Sequence, residues 1–75
     1  TIRFVSEPEG SKANYWLNAI LLPDLQTRDA FLTATNDAGV MTRPIWTLMH
    51  RLPMFERCGH DPLTNSILVE QTLVN

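Results

Sequence analysis

The sequence is poor in cysteine, glycine and long apolar runs. Its single cysteine, Cys58, has no partner within the 75 residues, which excludes an intrachain disulfide and is typical of a reducing compartment. Its three glycines stand apart at positions 10, 39 and 59, so there is no glycine-rich loop to cradle a phosphate. No apolar run approaches the ~20 residues of a membrane span, and the first ten residues do not have the pattern of a signal peptide. These absences predict a cytoplasmic protein.

Charge of either sign is also scarce. Six Lys and Arg stand against eight Asp and Glu, which gives a net charge of -2. Arg51 and Arg57 are the only basic residues near each other, too few to bind the backbone of a nucleic acid or an anionic membrane. Cys58, His60 and Asp61 are the only close group of metal-ligand types, and a turn in which Asp61 caps the following helix explains them. We therefore expect no nucleic acid, membrane or metal among the partners.

The length predicts one small domain, residues 1–75. A chain of 75 residues buries only somewhat more than ~60% of its unfolded surface, so its stability is marginal unless a neighbour helps. The hydrophobic fraction of 44% and charged fraction of 19% are typical of a globular chain and argue against disorder. We expect a folded domain that needs a partner or the remainder of a longer chain.

The pattern of elements predicts a small α+β fold. Ile2–Val5 is a β-prone run, and Asn14–Leu22 is apolar on both faces, as in a central strand. A third strand is expected over Val40–Ile45, where Pro44 is tolerable only at an edge or strand end. Together with two helices, these runs predict a small antiparallel sheet of about three strands covered by helices.

Local signals place the two helices. The first runs from Asp24 to Gly39, with Asp24 or Thr27 as its cap, Gly39 in the left-handed position after its last turn, and one face formed by Phe31, Ala34, Thr35 and Ala38. The second is expected over Ser66–Asn75, with a cap at Thr64 or Asn65 and a face formed by Leu63, Ile67 and Val74. Neither a Gly nor a Pro stop follows Asn75, so we expect the chain to be cut from a longer one.

The segment Thr42–Phe55, TRPIWTLMHRLPMF, predicts an ordered loop with binding chemistry. Its two prolines exclude a single helix or central strand. Arg43 can hold a phosphate or carboxylate, Trp46 can stack on a sugar or base, and His50 can donate or accept a hydrogen bond.

The structural alternative for this segment is that Trp46 and Met49 belong to the core, Arg43 pairs with Glu56 or another carboxylate, and His50 is a satisfied, partly buried residue. No activated nucleophile accompanies these residues, because Cys58 and His60 are only sequence neighbours. We therefore predict no catalytic residue in this chain.

Three stretches carry a resemblance to a known family: NYWLNAILL (14–22), DAFLTATNDAGVMTRPIW (29–46) and TLMHRLPMF (47–55), followed by a helix. They resemble the carboxy-terminal part of the DegT/DnrJ/EryC1/StrS sugar-nucleotide aminotransferases, in particular members acting on 4-keto-6-deoxy nucleotide sugars in the routes to legionaminic acid, bacillosamine and perosamine. The agreement covers about Ala13 to Asn75.

The resemblance implies a fold type I pyridoxal-phosphate enzyme, with a large cofactor domain, a small carboxy-terminal α+β domain, and a homodimer with glutamate as the expected amino donor. The Schiff-base lysine lies in the large domain, which is absent here, and Lys12 matches no such motif. The segment alone is therefore expected to bind no pyridoxal phosphate and to be inactive. It would complete the substrate side of the site through Arg43, Trp46 and His50.

The rival hypothesis is a non-enzymatic α+β module for protein association or regulation. Its contact surface would be the same loop, whose apolar residues Trp46, Met49, Met54 and Phe55 suit an interface.

Overall fold

A computed structural model describes residues 1–75 and contains a three-stranded antiparallel sheet and two α-helices. The strands are β1 (Arg3–Phe4), β2 (Ile20–Leu21) and β3 (Leu73–Val74), and the helices are α1 (Leu25–Asp37) and α2 (Thr64–Thr72). In the sheet the strands lie in the order β1-β2-β3. The predicted α+β class, with about three antiparallel strands and two helices, is confirmed. Neither helix has the length and apolarity needed to cross a bilayer.

The packed centre lies where β2 and β3 meet the helices. Only Leu22, Val74 and Thr72 are buried among the 75 residues. The Leu22 N–H donates to the carbonyl of Thr72 at 2.8 Å, and Val74 lies opposite Ile20 in the sheet. The end of α2 is thereby fixed beside the central strand.

The chain exposes far more surface than a compact protein of its mass. Its accessible surface is 6207 Å², whereas a compact monomer of 8.5 kDa exposes about 4,700 Å². The radius of gyration is 14.3 Å, against about 11 Å expected for a compact domain of this length. Roughly 1,500 Å² is therefore left in water that a compact domain of this size would bury.

Helix α1 begins and ends as the sequence predicts. The Asp24 side chain accepts a hydrogen bond from the Thr27 N–H at 2.7 Å, and that bond lowers the pKa of Asp24. After the helix, Gly39 has φ +84°, the left-handed conformation that glycine adopts without steric cost.

The inward face of α1 differs in part from the expected one. Phe31 and Thr35 are half-buried as predicted, but Ala34 and Ala38 are exposed. Arg28 turns inward one helical turn before Phe31 and is half-buried. The face is therefore shifted toward the start of the helix, where α1 packs against α2 and β3.

The expected central strand Asn14–Leu22 is wrong over most of its length, because only Ile20–Leu21 is strand. Tyr15 has φ +49°, and the Asn14 side chain accepts a hydrogen bond from the Trp16 N–H at 3.0 Å. This local turn removes the extended backbone that a ladder needs. Trp16 is consequently left exposed instead of covered on both sides.

The expected third strand Val40–Ile45 is also wrong. Only an isolated bridge joins Pro44 to Val74, because proline has no N–H to donate and the ladder cannot continue through it. The third strand is instead β3, at the end of the chain. A pair of backbone hydrogen bonds between Arg43 and Asn75, at 2.8 and 2.9 Å, adds a short fourth segment beside it.

Helix α2 is shorter than predicted at its end and starts differently. It ends at Thr72 rather than Asn75, because the chain turns extended there to pair with β2. The N-cap is Leu63, which has φ +57° and makes no side-chain capping bond, so the predicted cap at Thr64 or Asn65 is wrong. Of the predicted face, Leu63 and Ile67 are half-buried on this side, whereas Val74 is buried in the sheet.

Candidate functional site

The segment Thr42–Phe55 has an irregular backbone, as its prolines predict. It contains two short 3-10 turns, Met49–Arg51 and Pro53–Phe55, and the second starts with proline, whose fixed φ favours that position. Hydrogen bonds from Arg51 N–H to Leu48 O and from Leu52 N–H to Met49 O close the first turn. Local backbone bonds and prolines therefore give the segment its shape.

An ion pair attaches this segment to α2, and a side-chain hydrogen bond attaches α1 to α2. The Arg51 Nε donates to the Glu70 carboxylate at 2.8 Å, which ties the first 3-10 turn to α2. The Arg28 Nη1 donates to the Glu70 backbone carbonyl, while its Nη2 pairs with Asp29 at 2.7 Å. Glu70 therefore binds Arg51 through its carboxylate and Arg28 through its backbone carbonyl, and it fixes the position of the first 3-10 turn.

Arg43 lies at the edge of the sheet with its guanidinium in solvent. Its backbone is fixed by the paired hydrogen bonds with Asn75. Its Nη2 donates only a weak hydrogen bond to the Met41 sulfur at 3.7 Å, and no carboxylate pairs with it. The charge of Arg43 is therefore free to bind an anionic group.

Trp46 projects almost wholly into water. It is 91% exposed, and it lines a shallow groove with Arg28, Thr47 and Gln71. It also lines a second groove with Leu17 and Ile45. An indole in this position can stack on a flat or apolar ligand face.

His50 lies in the first 3-10 turn and lines a pocket of about 310 Å³. We call it the histidine pocket; its lining includes Met49, His50, Phe55, Cys58, His60 and Leu63. The ring centroids of His50 and His60 lie 4.8 Å apart, with the planes inclined at 53°. The His50 Nδ1 is buried without a hydrogen-bond partner.

The three predicted contacts do not share one cavity. His50 lines the histidine pocket, Trp46 lines the two grooves, and Arg43 lies at the sheet edge and lines none of these three cavities. The three residues are close in sequence, but they do not form an enclosed site. Their roles as substrate contacts stay a prediction.

The structural alternative for this segment is wrong for Trp46, Met49 and Arg43, and for His50 only its partial burial is confirmed. Trp46 and Met49 are exposed rather than in the core. Arg43 pairs with neither Glu56 nor any other carboxylate. The His50 Nδ1 lacks a partner. The side chains that the alternative assigned to packing are left available for contacts.

Sequence patterns missed His60 as a neighbour of His50. The two are ten positions apart, and two 3-10 turns bring them together. The sequence groups His60 only with its neighbours, with Cys58 and Asp61 as a weak metal group and with Cys58 as a poorly supported nucleophile and base. No three His, Cys, Asp or Glu side chains are grouped so as to hold a metal ion.

The chain's own residues do not fit pyridoxal phosphate. Lys12, its only lysine, is exposed in the turn between β1 and β2 and lines none of the main cavities. A lysine must be desolvated or otherwise activated to react with the cofactor at neutral pH. No step of cofactor chemistry is therefore assigned to this chain.

Comparisons with protein-family models, curated proteins and solved structures give no significant match.

Proposed function

We propose that this chain is the carboxy-terminal domain of a pyridoxal-phosphate-dependent aminotransferase that transfers an amino group to a 4-keto-6-deoxy nucleotide sugar. The cofactor and its lysine would lie in an N-terminal domain of the parent protein, a cytoplasmic homodimer. The resemblance of residues 13–75 to the sugar-nucleotide aminotransferases supports this assignment. The segment Thr42–Phe55 would contribute the substrate side of the active site.

The observation that carries the proposal is the availability of Arg43 and Trp46 on a fixed backbone. Arg43 has a free guanidinium and a backbone held by Asn75, so little order is lost when it binds an anion. Trp46 offers an open ring two residues after the Pro44 bridge. A nucleotide sugar combines the two features that these side chains recognise, a diphosphate and stackable rings.

The excess exposed surface supports a place within a larger folded unit. Interfaces between domains of one chain cover about 600–1,500 Å², and the excess here is roughly 1,500 Å². Much of it is apolar, including Trp16, Met41 and Trp46. The N-terminal domain of the proposed parent protein would cover this surface.

The experiment is a kinetic comparison in the intact protein. Arg43→Ala should raise KM for the nucleotide sugar about tenfold or more, because a charge-assisted hydrogen bond is lost. Arg43→Lys should recover part of the loss, since it keeps the charge but not the two-pronged geometry. Arg57→Ala, which removes an exposed arginine with no ion pair, is the matched control and should change neither constant. Unchanged KM and kcat in Arg43→Ala would refute the phosphate contact.

A second function, protein association without catalysis, is favoured by one observation. Met49, Met54 and Trp46 are 64%, 70% and 91% exposed, and flexible methionines beside an aromatic ring are typical of interaction surfaces. The two proposals differ in one assay. Amino transfer from glutamate to a 4-keto-6-deoxy nucleotide sugar by the intact protein supports the enzyme, and its absence supports the association module.

A further inference from the structure

The histidine pocket has two imidazole edges and an otherwise apolar lining. Besides His50 and His60, its side chains are those of Met49, Phe55, Cys58 and Leu63, and no Lys, Arg, Asp or Glu lines it. A buried or half-buried anion needs a paired charge or several donors. The lining is therefore suited to an uncharged ligand group with an apolar side.

Hydrogen bonding defines which ring nitrogen of His60 is free. Its Nδ1 lies 2.5 Å from the backbone oxygen of Asp61. A carbonyl oxygen only accepts, so Nδ1 carries the proton and donates. In the neutral ring, Nε2 then has a free lone pair, and the bond to Asp61 fixes the orientation of the ring.

Burial defines the accessible edge of His50. Its Nδ1 is shielded from water without a partner, whereas its Nε2 is not buried, so Nε2 is the ring nitrogen that a ligand in the pocket can reach. Both an N–H and a lone pair are costly to bury without a partner, and orphaned N–H groups are the rarer of the two in proteins, which favours the proton on the accessible Nε2. His50 therefore offers a donor where His60 offers an acceptor.

We propose that the histidine pocket binds the uncharged sugar part of the substrate, with His50 Nε2 donating to a ligand oxygen and His60 Nε2 accepting from a ligand hydroxyl. The inference rests on the proposed function and deepens it, because it adds His60 to the contacts and assigns the pocket to the sugar rather than the diphosphate. The methyl group of a 6-deoxy sugar matches the apolar lining of Met49, Phe55 and Leu63.

A metal ion is the other ligand that two imidazoles suggest. Stable sites for zinc and similar ions use three or four protein ligands. Cys58 lines the same pocket, but no group of three such side chains is arranged to hold an ion. The donor and acceptor pair therefore favours a neutral hydrogen-bonding ligand.

The test follows the ring-nitrogen NMR shifts of His50 and His60 in the intact protein labelled with ¹⁵N at histidine, assigned with His50→Gln and His60→Gln. Methyl 6-deoxy-α-D-glucopyranoside is the sugar probe, and pyrophosphate and zinc chloride are titrated separately. The sugar should shift Nε2 of both rings, and pyrophosphate should shift neither.

The affinity of the sugar for two variants tests the acceptor. His60→Phe keeps a flat ring without the acceptor and should weaken sugar binding about fivefold, whereas His60→Gln keeps an acceptor and should bind the sugar within about twofold of the unsubstituted protein.

Two results overturn the inference. One is a shift of the ring nitrogens produced only by pyrophosphate or zinc chloride. The other is no shift of either Nε2 up to a sugar concentration at which the remaining NMR signals of the protein no longer change. The unsubstituted protein decides this, so the result does not depend on whether His60→Phe folds. Sugar-induced shifts in a protein that carries out no amino transfer would overturn the proposed function alone. Amino transfer without such shifts would overturn this inference alone.

Discussion

The packed centre and the segment Thr42–Phe55 use apolar residues in opposite ways. In the centre, Leu22 and Val74 are buried between sheet and helices. In the segment, Trp46 and two methionines stay in water, although prolines, 3-10 turns and the Arg51–Glu70 pair fix the backbone. The comparison shows that order in this segment comes from restraint of the backbone rather than from burial, which leaves its side chains free for a ligand or a neighbour.

The largest expected effect separates a buried leucine from an exposed one. Leu22→Ala should lower the free energy of unfolding by about 3 kcal/mol, because it leaves a cavity beside Thr72 and Val74. Leu68, which is 58% exposed, is the matched control, and Leu68→Ala should change stability by no more than ~0.5 kcal/mol. Urea unfolding measures both. Equal losses would mean that the boundary of the packed centre is misplaced.

A smaller effect separates two glycines by backbone conformation. Gly39→Ala should cost about 1 kcal/mol, because alanine is strained in the left-handed conformation that ends α1. Gly59→Ala is the control, since Gly59 has no positive φ and a Cβ there meets nothing within 4 Å. Thermal unfolding of the two variants gives the difference. A Gly39→Ala protein as stable as the unsubstituted chain would contradict the left-handed conformation of Gly39 at the end of α1.

The cap of α1 gives a pH dependence. The Thr27 N–H bond lowers the pKa of Asp24 below its ordinary value of 3.8. The capping contribution is therefore complete above that ordinary pKa and is lost as the pH falls through the lower folded-state value. Asp24→Asn keeps a good cap without titrating. The thermal unfolding midpoint should fall more steeply between about pH 5 and pH 2 for the unsubstituted chain than for Asp24→Asn. Parallel curves would contradict the role of Asp24 as a charged cap.

The smallest effect on stability is expected at the most exposed residue of the segment. Trp46→Ala should change the free energy of unfolding of the chain by no more than ~0.5 kcal/mol, because its ring contacts little in the fold. The same substitution should weaken substrate binding in the intact protein, where Trp46 is the proposed stacking wall. A large loss of stability would show that Trp46 packs within the chain. It would contradict the difference between the packed centre and the segment Thr42–Phe55.

Local signals predicted α1, because an N-cap and a terminal glycine act over a few residues and need no distant partner. The strands were predicted poorly for the opposite reason. β3 forms at Leu73–Val74 because β2 is available to pair with it, and that pairing overrides the helical pattern that continues to Asn75. Asn14–Ala19 has strand-like composition, yet a local turn at Tyr15 ends the extended backbone.

The candidate site was predictable as residue types but not as geometry. Arg43, Trp46 and His50 stand out because of their chemistry between two prolines. Their separation into an edge, a groove and a pocket depends on the hydrogen bonds of Arg43 to Asn75, 32 positions away, and on the ion pair of Arg51 to Glu70, 19 positions away. The contact of His50 with His60 likewise follows from two successive 3-10 turns and has no sequence signature.

The most direct test of the central claim is the mass and the visible absorbance of the native protein purified from its source. The account predicts a longer polypeptide that contains this chain and shows the absorbance band of lysine-bound pyridoxal phosphate, which glutamate bleaches. A native polypeptide of only 75 residues without that band would contradict the enzymatic account and leave protein association as the function of the exposed segment.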